Sequence, residues 1–139
     1  MIQFNSETGF TLEKQDTINK WISNVILFES FKEGDINYVF CDDEYLHKLN
    51  MEFLSHDTLT DIISFDYSVG KIINGDVFIS IERVEENAKL FNDRFLNELY
   101  RVLVHGVLHY CGYKDKTEAD KKTMRSKEDF YLLQLPLVS

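Results

Sequence analysis

The sequence predicts an α+β domain: a small mixed β-sheet packed with helices. Short β-branched and aromatic runs are concentrated before Ser80, and three consecutive helical stretches follow it. That order, strands and then helices, points to α+β rather than to a repeating βαβ array. Length and composition agree. A chain of 139 residues, 44% hydrophobic and 14% aromatic, is long enough to bury one core and too apolar to be disordered. A single domain spanning residues 1–139 is the expectation.

The elements follow in order. Ile2 to Phe4 forms a short strand, with a turn around Thr8 and Gly9. From Glu13 to Phe28, Ile18, Trp21, Ile22, Val25 and Ile26 recur at helical spacing. Gly34 introduces a strand over Ile36 to Phe40. Asp42 or Asp43 caps a helix through Phe53 that turns Tyr45, Leu46 and Leu49 inward. Thr60 to Tyr67, TDIISFDY, reads as a buried strand. A turn at Asn74 and Gly75 then leads into Asp76 to Ser80, forming a hairpin with it. Ser80 caps a helix to about Phe91. The next helix, about Arg94 to Tyr110, puts Leu96, Leu99, Leu103 and Val107 on its apolar side. Thr117 and Asp120 make a capping box that opens a last helix to about Leu133.

Composition also narrows the function. No apolar run approaches the roughly 20 residues of a membrane span, and the start MIQFNSETGF has no signal-peptide pattern, so a cytoplasmic protein with no membrane partner is expected. Two cysteines, Cys41 and Cys111, are too few for a disulfide framework and read as small buried residues. A net charge of −9 argues against a general nucleic-acid coat. Yet Lys114, Lys116, Lys121, Lys122, Arg125 and Lys127 cluster in one stretch, either a solvated helix face or a local basic patch.

That patch follows the stretch with most chemistry in it, HGVLHYCGYKD, His105 to Asp115. His105 and His109 stand at i and i+4, on one face of a helix, and can chelate one ion. Gly112 lets the chain reverse, which returns Asp115 as an oxygen ligand. Two nitrogens and a carboxylate leave a coordination position open for water, as in a catalytic zinc site. The plain alternative is a pair of packed helix histidines. The counts match the zincin pattern HExxHxxGxxH with aspartate in the last place, but Gly106 stands where a zinc protease carries its glutamate base. Peptide hydrolysis is disfavoured.

With HGVLHYCGYKD set beside LNMEF (Leu49 to Phe53), TDIISF (Thr60 to Phe65) and GDVFISIERVEENA (Gly75 to Ala88), the chain resembles the YbeY family over about Leu46 to Leu133. These are rRNA maturation factors described as metal-dependent endoribonucleases, with the signature HGxLHLxGYDH. The resemblance implies a small α+β fold with a metal-bearing helix in the C-terminal half. It also implies one divalent ion, zinc by preference, held by His105 and His109, with the family's third histidine falling at Asp115. Aspartate there makes the shell more negative and shifts preference toward harder metals. The family's arginine after the LNxxF-like stretch falls at Leu54, which cannot stabilise phosphorane charge; His56 nearby is a partial substitute or an ordinary surface histidine.

The implied function is an endoribonuclease acting in rRNA processing, with rRNA or a ribosomal particle as partner. The alternative is a non-catalytic ribosome-biogenesis factor with a structural metal, binding RNA or a ribosomal protein. No general base stands out. Asp61 and Glu98 are candidates, though Asp61 can equally cap or pair and Glu98 can salt-bridge to Arg101 or Arg94. Ser64 and Thr60 on the strand, and Lys114 and Lys116 in the basic stretch, are candidate substrate contacts.

Overall fold

Lys32–Cys41, rich in aromatic and β-branched residues, forms a long strand at the middle of the sheet. The computed structural model describes residues 1–55 and 60–135. Its elements are β1 (Ile2–Ser6), α1 (Gln15–Phe28), β2 (Lys32–Cys41), α2 (Asp43–Leu54), β3 (Ile62–Asp66), β4 (Ile72–Ser80), α3 (Ile81–Leu90), α4 (Phe95–Tyr110) and α5 (Glu118–Leu132). The sheet runs β1-β2-β4-β3, with β1/β2 and β2/β4 parallel and β3/β4 antiparallel. It is a mixed sheet packed with helices, an α+β fold that contains one unrepeated β-α-β unit, β1-α1-β2.

The core explains why α4 is the rigid element. Leu99, Leu103, Val104, Val107 and Leu108 are fully buried against the sheet and α1. Each such side chain contributes about 1.5–3 kcal/mol of burial. Leu96, expected on that apolar side, is exposed at the first turn instead.

Several boundaries move for identifiable reasons. Helix α1 begins at Gln15, because Lys14 takes a left-handed conformation at φ 55°. Asp42 is the residue that caps α2, accepting from Tyr45 N at 2.8 Å. Leu46 is buried while Tyr45 stays at the edge, stacked on Phe78. Ser80 caps α3 through Arg83 N, and the Thr117–Asp120 capping box opens α5. Both cysteines are free thiols.

One expectation is overturned. Asn74 and Gly75 do not turn; both lie inside β4. The hairpin reverses at Val69–Ile72, where Gly70 has φ +58°. Asn74 is a strand residue because its Oδ1 accepts from Asp35 N across the sheet at 2.8 Å. Gly75 is required by close approach: a Cβ there would lie 2.3 Å from the Tyr110 hydroxyl and 2.6 Å from the Phe65 carbonyl oxygen. Similarly, Gly34 does not open β2 but lies within it, against the Asn74 side chain.

Candidate metal centre and its cleft

His105 and His109 project side by side from α4, their ring centroids 4.6 Å apart. The helix then stops in a tight reversal. Tyr113 N donates to Leu108 O at 3.1 Å, and Gly112 adopts φ +100°, a conformation that favours glycine. The reversal brings Asp115 back to the two rings. His105 Nε2 and His109 Nε2 are 3.1 Å apart, and each lies 3.4 Å from Asp115 Oδ2.

Those spacings test whether an ion fits. Zinc with bonds of about 2.0–2.1 Å separates tetrahedral ligand atoms by roughly 3.3–3.4 Å. The two separations to Asp115 match that edge length, and the one between the rings, 3.1 Å, is slightly shorter. The donor atoms converge on one point and could hold a metal ion. Asp115 is the most open of the three, its side chain 44% exposed.

Gly106 also has a structural explanation. A Cβ there would meet Ile62 Cδ1 and Val77 Cγ1 at 3.2 Å. Position 106 faces the sheet, so a glutamate base could not be housed there.

Behind the rings lies a part of the site that the motif did not reveal. Glu128 of α5, only 5% exposed, accepts from His105 Nδ1 at 2.7 Å through Oε2. Its Oε1 accepts from Arg101 Nη1 at 2.9 Å, and Arg101 Nη2 reaches Asp129 Oδ1 at 2.7 Å. The Glu128 carboxylate therefore fixes the tautomer that leaves His105 Nε2 free to ligate. The sequence does hold a signal: Glu128 occupies the same buried stripe of α5 as Met124 and Tyr131. A carboxylate on a buried stripe needs a partner.

Electrostatics separate the two rings. Burial works against the charged form of His105, but the Glu128 hydrogen bond and charge outweigh it and raise its pKa. Burial lowers that of His109, and the neighbouring His105 lowers it further.

The pair opens on a cleft of about 470 Å³ between β3, α3, α4 and α5. Asp61, Ser64 and Thr60 line it, as does Glu98. Asp61 sits close enough to feel the charges of His105 and Asp115; burial raises its pKa, against the pull of His105. The Thr60 hydroxyl donates to Ile62 O at 3.3 Å, an ordinary strand-end bond. Glu98 is buried but pairs with neither Arg94 nor Arg101, since Arg101 is taken by Glu128 and Asp129. Lys114 and Lys116 are exposed and lie outside the cleft lining, whereas Lys121 and Arg125 belong to it. Leu54 ends α2, 45% exposed and away from the cleft. His56 lies outside the described residues.

A His-His-carboxylate cluster at the end of a buried helix, open on one side to a cleft, is the architecture of a metal-dependent hydrolase. The comparisons make this specific. The sequence model described as "Endoribonuclease YbeY" matches residues 1–136. The endoribonuclease YbeY of Flavobacterium johnsoniae is 64% identical over 129 residues, covering 93% of each chain. That of Cytophaga hutchinsonii is 47% identical over 127 residues, covering 91% of this chain and 89% of its own. The solution structure of TM1509 from Thermotoga maritima shares the fold, with a TM-score of 0.69 at 24% identity, covering 97% of this chain and 89% of that one. The chain belongs to the endoribonuclease YbeY family. Among the described residues, no helix is long and apolar enough to cross a membrane.

Proposed function

We propose that the cleft hydrolyses RNA phosphodiester bonds during rRNA maturation, with a divalent ion held by His105, His109 and Asp115. The observation that carries this reading is the trio's spacing, tetrahedral edges of 3.1, 3.4 and 3.4 Å on an open-sided cleft. Membership in an endoribonuclease family favours catalysis over a purely structural metal. Zinc is the ion this donor set suits, and the carboxylate of Asp115 widens tolerance toward harder ions.

An ion held by His105, His109 and Asp115 would supply Lewis-acid chemistry for phosphodiester hydrolysis. The protein's own groups do the rest. Glu128 orients His105, and Arg101 holds Glu128 in turn. Asp61, which lines the cleft near enough to feel the His105 charge, is the group we assign to take the proton of the attacking oxygen. Ser64 lines the same cleft for a contact to the sugar-phosphate backbone. Lys114 and Lys116 sit outside the cleft, where they serve at most the approach of a longer RNA. The RNA substrate is presented on rRNA or a ribosomal particle, and a ribosomal protein is a candidate partner there.

Elemental analysis of the untagged protein and of His109→Ala is the direct test, followed by cleavage of ribosomal RNA fragments. About one equivalent of zinc in the parent, lost in the variant with at least 100-fold of the cleavage rate, is expected. A parent that binds no added zinc, manganese or nickel overturns the reading.

A further inference from the structure

The far end of the cleft contains groups that the metal site does not use. Glu98 and His105 are seven residues apart on one face of α4, roughly 10 Å along the helix axis. Glu98 is therefore too distant to serve an ion at His105. It is only 6% exposed, yet its carboxylate makes no hydrogen bond or ion pair to any described residue, and it lines the cleft. Its oxygens are not sealed in the core but open on the cleft, where they can accept from a group bound there.

Two neighbours suggest what that donor belongs to. Phe91, seven residues before Glu98 in the chain, lines the same cleft, 63% exposed and with no ring partner among the described residues. Its backbone is held firmly where α3 ends. Phe91 N donates to Asn87 O at 3.0 Å, and Asp93 N donates to Ala88 O at 2.8 Å. An exposed aromatic face on a fixed support is a stacking platform for an unpaired base. On α5, Arg125 lines the cleft with no hydrogen bond or ion pair to a described residue, near enough that its charge acts on Glu98.

We propose that Phe91, Glu98 and Arg125 form a nucleotide subsite next to the scissile position, which takes one unpaired base by its face and its amino edge. Phe91 stacks on the base, Glu98 accepts from its exocyclic amino group, and Arg125 contacts the adjoining phosphate. Burial raises the pKa of Glu98, against the nearby Arg101 charge, as expected of a carboxylate that lacks a donor. Arg125 gives the cleft a second guanidinium beside that of Arg101, which is engaged by Glu128 and Asp129. The subsite rests on the RNA-cleaving reading and adds a preference to it: cytosine, which offers an amino donor, over uracil, which offers an acceptor at the same place.

Affinities of the zinc-loaded protein for short single-stranded 2′-O-methyl RNAs, identical except for one cytosine or uracil, test it. The parent is expected to favour cytosine roughly tenfold at one position. Glu98→Gln, near-isosteric and carrying both a donor and an acceptor, should erase that ratio and keep its zinc. Phe91→Ala, a surface change, should weaken both RNAs equally, by roughly tenfold, and keep the ratio. A parent that binds both RNAs with no preference at any position overturns the subsite and leaves the nuclease reading standing. So does a preference that survives Glu98→Gln. A parent that neither binds nor cuts RNA overturns both.

Discussion

At the end of the cleft where we propose a metal site, each ionisable side chain is tied to another group: Asp115 lies against both histidines, His105 bonds to Glu128, and Glu128 bonds to Arg101. At the far end Glu98 and Arg125 make no such bond to a described residue, and Phe91 has no ring partner. Glu98 and His105 share α4, and Arg125 and Glu128 share α5, so for these groups the difference is one of partnership and not of scaffold. Chains of charge-assisted hydrogen bonds fix geometry before anything binds. Unpartnered buried groups do the opposite: they cost stability and leave bonding capacity for a ligand.

Glu128→Ala should break the metal end most severely. It leaves Arg101, whose side chain is 15% exposed, with Asp129 as its remaining partner, and frees His105 to rotate. Losing such charge-assisted hydrogen bonds costs about 1.5–3 kcal/mol, and losing the carboxylate behind the proposed histidine ligand should weaken metal binding about 10–100-fold. Urea denaturation and competition with a zinc chelator measure the two. A variant as stable as the parent would mean that the network only decorates the site.

Asp43→Asn acts on the far end through the scaffold. Asp43 Oδ2 receives Arg83 Nη2 at 3.0 Å, and Oδ1 receives the Ser80 hydroxyl at 2.7 Å, joining α2 to the start of α3. Burial would raise the Asp43 pKa, but the hydrogen bonds from Arg83 and Ser80 and the guanidinium charge hold it below its ordinary value. The stabilisation is then complete above about pH 4, the unfolded value, and is lost as pH falls through the lower folded value. Asp43→Asn should cost about 1–2 kcal/mol at pH 7, with the gap to the parent closing in acid. Thermal unfolding across pH reads this directly. Because α3 carries the Phe91 platform, RNA affinity should drop while zinc content stays the same.

Glu98→Gln should show the opposite sign from any change at Glu128. Neutralising a buried carboxylate that has no partner is expected to stabilise the fold by up to about 1 kcal/mol near neutral pH. Because burial raises its pKa, Glu98 disfavours the fold once it ionises, so the gain should shrink as pH falls and the parent's carboxyl is protonated. Destabilisation by more than that amount would reveal an interaction that the far end is not credited with. Smallest of all, Lys116→Ala, exposed and outside the cleft, should leave stability within about 0.5 kcal/mol and leave the cutting of short RNAs unchanged.

Much of this was legible in the residues. Period 3.6 along Phe95–Tyr110 placed α4, and the i, i+4 spacing set both histidines on one face. Ser80 and the Thr117–Asp120 pair marked helix starts because capping chemistry is local. The Asn74–Gly75 reading failed for the converse reason. A dipeptide that favours a turn was overridden by contacts from distant residues, with Asp35 bonding Asn74 and Tyr110 filling the space beside Gly75. Leu96 likewise fitted the apolar spacing, but the first turn of α4 packs through Phe95, against Phe10, and leaves Leu96 exposed.

The sequence by itself determined the helices, the chain order of His105, His109 and Asp115 and the reversal at Gly112, because each depends on contacts within a few residues. Only the tertiary structure decided which side chains stand behind and beyond the trio. Glu128 reaches His105 across 23 residues, and Arg101 reaches Glu128 across 27. Glu98, which the sequence offers an arginine one turn away, is left without a partner because that arginine is drawn to α5. A charge pairs with whichever opposite charge the packed helices bring nearest, and the packing of α4 against α5 is set by the whole core.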